Sequence, residues 1–147
     1  MSEAIEETDI TARYRLSEQV GYLLRLASQR HATIFQALIS EDLTATQFST
    51  LIRIAEHGHA SQNHLGRMAA MDVATVKGVV DRLKSKGLVT STADPKDKRR
   101  SNISLTHKGA VIVDTLVRDG LRITEETLRP LTRAEQRTFL ALLAKLG

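Results

Sequence analysis

A chain of 147 residues can form one domain with an ordinary core, or a small domain with helices that need a partner to bury them. Its lack of cysteine excludes disulfides, thiolate zinc sites and thiol redox sensing. The net charge is +4, but residues 67–108 carry ten basic and four acidic side chains, so this segment is +6 and the rest is −2, which favours either a polyanion-binding surface or a solvated charged face.

The N-terminus is acidic and polar, without the apolar core of a targeting signal. No apolar run in the sequence approaches the roughly 18 residues that a membrane-spanning helix needs. We therefore expect a soluble cytoplasmic protein that does not associate with membranes.

The first predicted element is a long helix over residues 13–40. His31 falls on its apolar stripe, so its imidazole is expected on the buried face. Two interpretations stay open: a core histidine satisfied by one hydrogen bond, and a group that lines a small-molecule pocket. The apolar residues that recur at three- and four-residue steps are Leu16, Val20, Leu23, Ala27, Ile34 and Leu38.

The next segment has the start and stop signals of three helices. Thr44 and Gln47 have the spacing of a capping box, and Gly58 can end the helix that follows them. Ser61 is the N-cap candidate of a short helix, and Asp72 caps another after a tight connection. Two helices joined by so short a link indicate a helix-turn-helix.

The helix that follows Asp72 has two different sides. One side is apolar, with Val73, Val76, Val80 and Leu83. Small residues on the other side allow the backbone to approach a duplex, and Thr and Lys can bond base edges or phosphates. An ordinary amphipathic helix has the same pattern, so the helix alone does not decide. The residues of this second side are Ala74, Thr75, Lys77, Gly78, Asp81 and Arg82.

Residues 88–106 predict a β-hairpin with a charged tip. β-Branched and Leu residues flank a polar run in which four of the five residues from Lys96 to Arg100 are basic. A basic arm of this kind gains from the strong negative potential of the minor groove of DNA. Asp97 can hold Arg99 in place through a charge-assisted pair.

Two helices complete the chain. The first runs from Thr106 to about Leu128 and is ended by Pro130. A capping box at Thr132 and Glu135 starts the last helix. Its apolar residues, which are expected to face inward, are Phe139, Leu142, Leu143 and Leu146.

Three of the five histidines lie close together, as His57, His59 and His64. Histidine clusters are typical of zinc sites, but such sites need three or four protein ligands, and these three converge only if the loop folds back. The alternative is a set of surface histidines around a turn. No glycine-rich phosphate loop, nucleophile elbow, HExxH or paired-carboxylate motif is present, so we expect no enzyme and no cofactor.

The order of these elements resembles the MarR family of winged-helix transcription regulators. The most specific segments are VATVKGVVDRLKSKGLV at residues 73–89 and DPKDKRRSNISLTHKG at residues 94–109, and the resemblance covers nearly the whole chain. It implies a mainly α-helical fold with a small β-wing, and an obligate homodimer.

The resemblance also implies an organisation for the chain as a single domain over residues 1–147. A winged helix-turn-helix lobe that binds DNA would occupy residues 44–106. Long dimerisation helices would occupy residues 13–40 and 107–147, and those of the two chains would intertwine.

The resemblance further implies which residues contact a near-palindromic DNA operator. Ala74, Thr75, Lys77 and Gly78 would face bases in the major groove, with Arg82 toward phosphate. Arg99 would enter the minor groove, steadied by Asp97 and accompanied by Lys96 and Lys98. The sequence departs from the family at Lys98, where Arg is more usual, and at the strand Thr90-Ser91-Thr92, where Arg residues are common.

Family effectors are commonly small aromatic or phenolic carboxylates, bound where the dimerisation helices meet the DNA lobe. Here the candidate groups are Arg15 to pair a carboxylate, Tyr22 to stack, and His31 and His64 to donate hydrogen bonds. His64 stands where the family often has Glu or Gln. The resemblance thus implies a repressor that a small aromatic effector releases from DNA.

Two other functions stay open. One is a metal-responsive regulator that uses His57, His59 and His64. The other is a winged helix that serves as a protein-interaction module without DNA.

Overall fold

The computed structural model describes residues 10–69, 71–97 and 99–147. Within these residues the chain forms six helices and a three-stranded antiparallel sheet, and a short helical turn at residues 10–13 and a 3₁₀ turn at Leu16–Glu18 precede these helices. None of the described helices is long and apolar enough to cross a membrane. The elements are α1 (Val20–Leu38), α2 (Ala45–His57), β1 (His59–Ser61), α3 (Gln62–Ala69), α4 (Val73–Ser85), β2 (Val89–Ala93), β3 (Ser101–Leu105), α5 (His107–Leu128) and α6 (Arg133–Lys145).

The chain divides into two compact units. The central unit comprises Leu38–Glu126, and the terminal unit comprises the residues up to Ala37 together with Thr127–Gly147. The division falls near the C-terminal ends of α1 and α5, so most of α1 belongs to the terminal unit and most of α5 to the central unit.

The helices of the central unit begin where the sequence predicts. The Thr44 hydroxyl accepts the Gln47 backbone N–H at 3.1 Å, and the Gln47 side chain accepts the Thr44 N–H, which confirms the capping box. The Ser61 hydroxyl accepts the His64 N–H at 3.1 Å and caps α3. Gly58 has the positive φ, +76°, predicted for the residue that ends α2.

The small sheet closes one side of the central core. Its order is β1-β3-β2, so β3 lies in the middle and pairs with both neighbours. Ile103 of β3 lies opposite Ala60 of β1 and Ser91 of β2, and its side chain is fully buried. The predicted hairpin is confirmed as β2 and β3, whereas β1 was missed because His59 was interpreted as part of a turn and Ser61 as the cap of a helix.

Where α5 passes the residue just before β2, there is no room for a side chain on α5. A Cβ atom built on Gly109 would lie 2.1 Å from the carbonyl oxygen of Leu88, which is backbone and cannot rotate away. The Gly109 N–H meanwhile donates to the Thr106 hydroxyl at 3.0 Å, so the start of α5 is fixed at this point. Glycine is therefore a steric requirement here.

A buried carboxylate fixes the segment after α1. Asp119 of α5 is only 4% exposed, and its Oδ2 accepts the backbone N–H of Ser40 at 2.9 Å. This bond satisfies the carboxylate and ties the start of the α1–α2 connection to the middle of α5.

In the terminal unit, the predicted helix over residues 13–40 is too long. The regular helix begins only at Val20, because Gln19 has an extended backbone (φ −87°, ψ 141°) that separates it from the 3₁₀ turn. The Gln19 side chain donates to the Arg15 carbonyl at 3.1 Å and stabilises this break. The apolar residues keep their helical spacing through the break, so the sequence pattern did not reveal the break.

The apolar stripes of the terminal unit are not buried as predicted. His31, expected on a buried face, is exposed, and so are the apolar residues of α6 that were expected to face inward. Phe35 is the buried residue of α1. Among the residues that the structure describes, no further element of the terminal unit covers these stripes. Exposed apolar residues of this unit are Val20, Leu23, Leu24, Leu26, Phe139, Leu140, Leu142, Leu143 and Leu146.

The close approach at Leu88 predicts a large effect for Gly109→Ala. We expect this substitution to destabilise the protein by about 2 kcal/mol or more, because the added methyl overlaps backbone. Gly78→Ala is the matched control: it lies inside α4, nothing lies within 4 Å of its added Cβ, and alanine is the better helix former. Thermal unfolding followed by circular dichroism checks this, and equal melting temperatures for the two variants would contradict it.

Candidate functional site

The core determines which side of α4 faces solvent. Val76, Val80 and Leu83 are at most 1% exposed and belong to the core of the central unit. Each such side chain contributes about 1.5–3 kcal/mol by leaving water, whereas an exposed ion pair contributes about 1 kcal/mol or less. Burial therefore sets the rotation of α4, and its opposite side is left free.

That opposite side carries the predicted DNA-contact residues. All of them are exposed, and no atom lies within 4 Å of the place where a Cβ would stand on Gly78. With alanine and glycine beside threonine and lysine, a large polar partner can come close to the helix backbone. The exposed residues are Ala74, Thr75, Lys77, Gly78, Asp81 and Arg82.

The N-terminus of α4 is held by Asp72. Its Oδ1 accepts the Thr75 backbone N–H at 2.7 Å, which is the predicted N-cap. This hydrogen bond lowers the pKa of the Asp72 carboxyl from its ordinary 3.8. The first turn of the exposed side is thereby ordered.

The tip of the hairpin is closed by its own backbone. The Asp94 N–H donates to the Arg100 carbonyl and the Arg100 N–H to the Asp97 carbonyl, each at 3.0 Å. The Asp94 carboxylate accepts the Lys96 N–H at 2.9 Å. These bonds give a short, defined turn.

The predicted pair between Asp97 and Arg99 is present. Asp97 Oδ1 lies 3.4 Å from Arg99 Nε and accepts the Arg99 backbone N–H at 3.0 Å, while Oδ2 lies 3.8 Å from Arg100 Nε. The Arg99 side chain is still 92% exposed. The Asp97 carboxylate therefore orients the guanidinium of Arg99 through Nε and leaves the end of the side chain accessible. Lys96 is exposed, and Lys98 lies outside the described residues.

The candidate effector residues are distributed over the two units. Arg15, Tyr22 and His31 belong to the terminal unit and His64 to the central unit. Arg15 lies 4.0 Å from Glu18 on the surface. Tyr22 is half-buried, and the guanidinium carbon of Arg25 lies 5.8 Å from its ring centroid.

His31 has a partner that sequence reasoning missed. Its Nδ1 lies 2.9 Å from the Thr127 hydroxyl, and Arg30 donates to the Thr127 carbonyl. One threonine near the end of α5 is thus bonded by two consecutive residues of α1. Because 96 residues separate His31 from Thr127 in the chain, no local pattern could have revealed this contact.

The structure brings two of the three clustered histidines together. The rings of His57 and His64 meet edge to face, with centroids 5.7 Å apart. No group of three or more His, Asp or Glu side chains that could hold a metal ion occurs among the residues that the structure describes.

Comparison with known proteins agrees with this geometry. Residues 43–101 match the model of the MarR family. The chain is 40% identical over 134 residues to the HTH-type transcriptional repressor NicR of Pseudomonas putida, which covers 90% of this chain and 85% of NicR.

Two solved structures extend the comparison. BpsR of Bordetella bronchiseptica, whose DNA binding is regulated by 6-hydroxynicotinic acid, matches with a TM-score of 0.85 at 40% identity, over 90% of this chain and 96% of BpsR. A mutant MarR from E. coli complexed with operator DNA matches with a TM-score of 0.79 at 29% identity, over 86% of this chain and 92% of that one.

The helix-turn-helix and its β-wing define a winged-helix transcription regulator, not an enzyme. The chain belongs to the MarR family. The family and the fold class expected from the sequence are therefore confirmed.

The lowered pKa of Asp72 predicts an acid-sensitive cap. A carboxyl whose pKa is depressed on folding contributes stability that is fully present above its unfolded value, here 3.8, and is lost as the pH falls through the lower folded value. Asp72→Asn keeps an N-cap oxygen but removes this titration. Below pH 3.8, the melting temperature of the wild type should thus fall faster than that of Asp72→Asn.

Asp81→Asn, in the middle of α4, controls for the change in net charge. Melting temperatures measured by circular dichroism through the acid range provide the comparison. If the melting temperatures of the wild type and of Asp72→Asn differed by a constant amount over that range, the acid-sensitive cap at Asp72 would be contradicted.

Proposed function

We propose that the protein is a homodimeric repressor that binds a near-palindromic operator and is released by a small aromatic carboxylate or phenol. The observation that carries the proposal is the exposed polar side of α4, present in one compact unit with a hairpin whose tip offers an oriented arginine. The 40% identity to a transcriptional repressor supports the direction of regulation.

The proposal assigns α4 and the hairpin tip to the two grooves of a duplex. α4 is proposed to lie in the major groove with Ala74, Thr75, Lys77 and Gly78 toward the bases, because small side chains allow close approach. Arg82 of the same helix would contact phosphate. Arg99 would enter the minor groove, whose negative potential attracts a guanidinium, with Lys96 and Lys98 beside it.

A homodimer accounts for the open apolar surface of the terminal unit. Val20 and Leu142 are 64% and 55% exposed, which is costly for large aliphatic side chains in a monomer. A second copy of the chain would cover both α1 and α6. Twofold symmetry would then present two copies of α4 to two half-sites, which favours a near-palindromic operator.

The proposed effector is an aromatic acid with a hydroxyl or ring heteroatom. BpsR, which is 40% identical, is regulated by one such compound. In the terminal unit the Arg15 guanidinium would pair the carboxylate, the Tyr22 ring would stack, and His31 would bond the hydroxyl or heteroatom. The compound releases DNA only by the difference between its affinities for the free and the DNA-bound protein.

Arg99→Ala tests the DNA-binding part of the proposal. We expect affinity for a duplex selected by the wild type from a random-sequence library to fall roughly tenfold or more, because a groove contact is lost. Arg118→Ala removes the same charge from an exposed position on α5 and should change affinity little. Fluorescence anisotropy measures binding, and sedimentation velocity should show that the dimer is intact.

Unchanged DNA retention in Arg99→Ala would instead favour a protein-interaction module. Failure of the wild type to select any sequence would contradict sequence-specific regulation altogether.

His31→Ala tests the effector part. We expect operator affinity within a few-fold of the wild type but a weaker release by the probe compounds 6-hydroxynicotinic acid and 4-hydroxybenzoic acid, because a hydrogen-bonding group is lost. His107→Ala, an exposed histidine at the start of α5, is the control. Thr127→Val keeps the imidazole and removes only its 2.9 Å partner. Release curves identical to wild type in His31→Ala would remove His31 from the effector site.

A further inference from the structure

The end of α4 is an ordered corner. Gly87 has φ +74°, its N–H donates to the Lys84 carbonyl at 2.9 Å, and the Leu88 N–H donates to the Leu83 carbonyl at 3.0 Å. These are the two hydrogen bonds of a Schellman motif, with Lys86 as the C-cap. The backbone therefore leaves α4 in a single, defined direction.

The side chain of Lys86 ties this corner to the start of α2. Its ammonium donates to the Asp42 carbonyl and lies 3.4 Å from Gln47 Oε1. Gln47 is itself 4% exposed and accepts the Thr44 N–H in the capping box of α2. The Lys86 amine is thus directed into the protein, toward a buried polar group.

The start of α5 holds the same corner from another direction. Lys108 Nζ donates to the Lys86 carbonyl at 3.0 Å, and the Thr106 hydroxyl donates to the Gly87 carbonyl at 2.6 Å. The Thr106 N–H donates to the Leu88 carbonyl at 3.0 Å. Three successive carbonyls after α4 are therefore all bonded by residues that precede or begin α5.

We propose that Lys86, together with Lys108, is a positioning residue for DNA recognition: it fixes the direction of α4 and does not contact phosphate. Both lysines belong to the basic segment of residues 67–108, where charge alone would assign them to the duplex. Their ammonium groups are instead bonded to backbone carbonyls of the protein. The inference rests on the proposed role of α4 at the DNA.

The geometry of α4 makes its direction critical. A helix of 13 residues is about 20 Å long, so a tilt of about 5° at one end displaces the other by about 1.7 Å. Base contacts by Thr75 and Lys77 near the far end depend on hydrogen bonds that fail over such a distance. Contacts to phosphate by flexible side chains adapt more easily, so loss of positioning should reduce specificity more than non-specific affinity.

The test compares Lys86→Met, Lys86→Arg and Lys77→Met in the full-length protein. Affinity is measured by fluorescence anisotropy over a range of salt concentrations. The probes are a duplex carrying the sequence that the wild type selects from a random library, and the same duplex scrambled. For Lys86→Met we expect roughly tenfold weaker binding to the selected duplex, the loss typical of one compromised base contact, with unchanged affinity for the scrambled duplex and unchanged salt dependence.

Lys86→Arg retains donors for the Asp42 carbonyl and should restore most of the lost affinity. Lys77→Met removes a proposed DNA contact and serves as the reference for a direct loss. Equal weakening on both duplexes, with the slope of log affinity against log salt reduced by about 1.8 because the proposed dimer carries two copies of Lys86, would show that Lys86 contacts phosphate and would overturn the proposal. Unchanged binding to both duplexes would overturn it as well.

A second measurement covers the case in which Lys86→Met is poorly folded. Gln47→Glu keeps the capping box and offers Lys86 a carboxylate, so Lys86→Met should lower the melting temperature more in the Gln47→Glu background than in the wild type. Equal losses in the two backgrounds would exclude the proposed contact. If the wild type selects no sequence from the library, the proposed function fails. The difference between the two losses in melting temperature still tests the contact of Lys86 with Gln47.

Discussion

The burial of Val76, Val80 and Leu83 is the constraint on which the arrangement of this protein depends. Because these three side chains must all point into the core, the orientation of α4 about its own axis is fixed. Its small and polar residues are then exposed as a consequence of that orientation. The proposed recognition surface of this MarR-family regulator is thus a consequence of core packing, and its chemistry can vary while the packing is kept.

Local signals in the sequence predicted much of the fold correctly. The caps at Thr44, Asp72 and Thr132 depend on residues three positions apart, so they are visible in the sequence and occur in the structure. The short strand His59–Ser61 was missed because it exists only through pairing with β3, about 40 residues away. The break before Val20 was missed because apolar periodicity reports which residues are apolar and not whether the helix is continuous.

The candidate site follows the same division between local and distant contacts. The pair of Asp97 and Arg99 spans two residues and was predicted. The prediction that Phe139 packs inward was wrong for the single chain, where this side chain is exposed. Periodicity shows that a helix face is apolar, but it does not show which molecule covers that face. The bonds of Lys86 and of His31 cross 44 and 96 residues of sequence, so no local pattern could have predicted them.

The central place of β3 in the sheet has a consequence for motion. Hydrogen bonds hold this strand on both edges, so the root of the wing cannot bend without breaking a ladder to β1 or to β2. The ladder between β2 and β3 ends at Ala93 and Ser101, and beyond it the backbone bonds of Asp94 and Arg100 close the turn. The paired part of the hairpin is therefore stiff, and adjustment to differing groove widths is left to exposed side chains at the tip, such as that of Arg99.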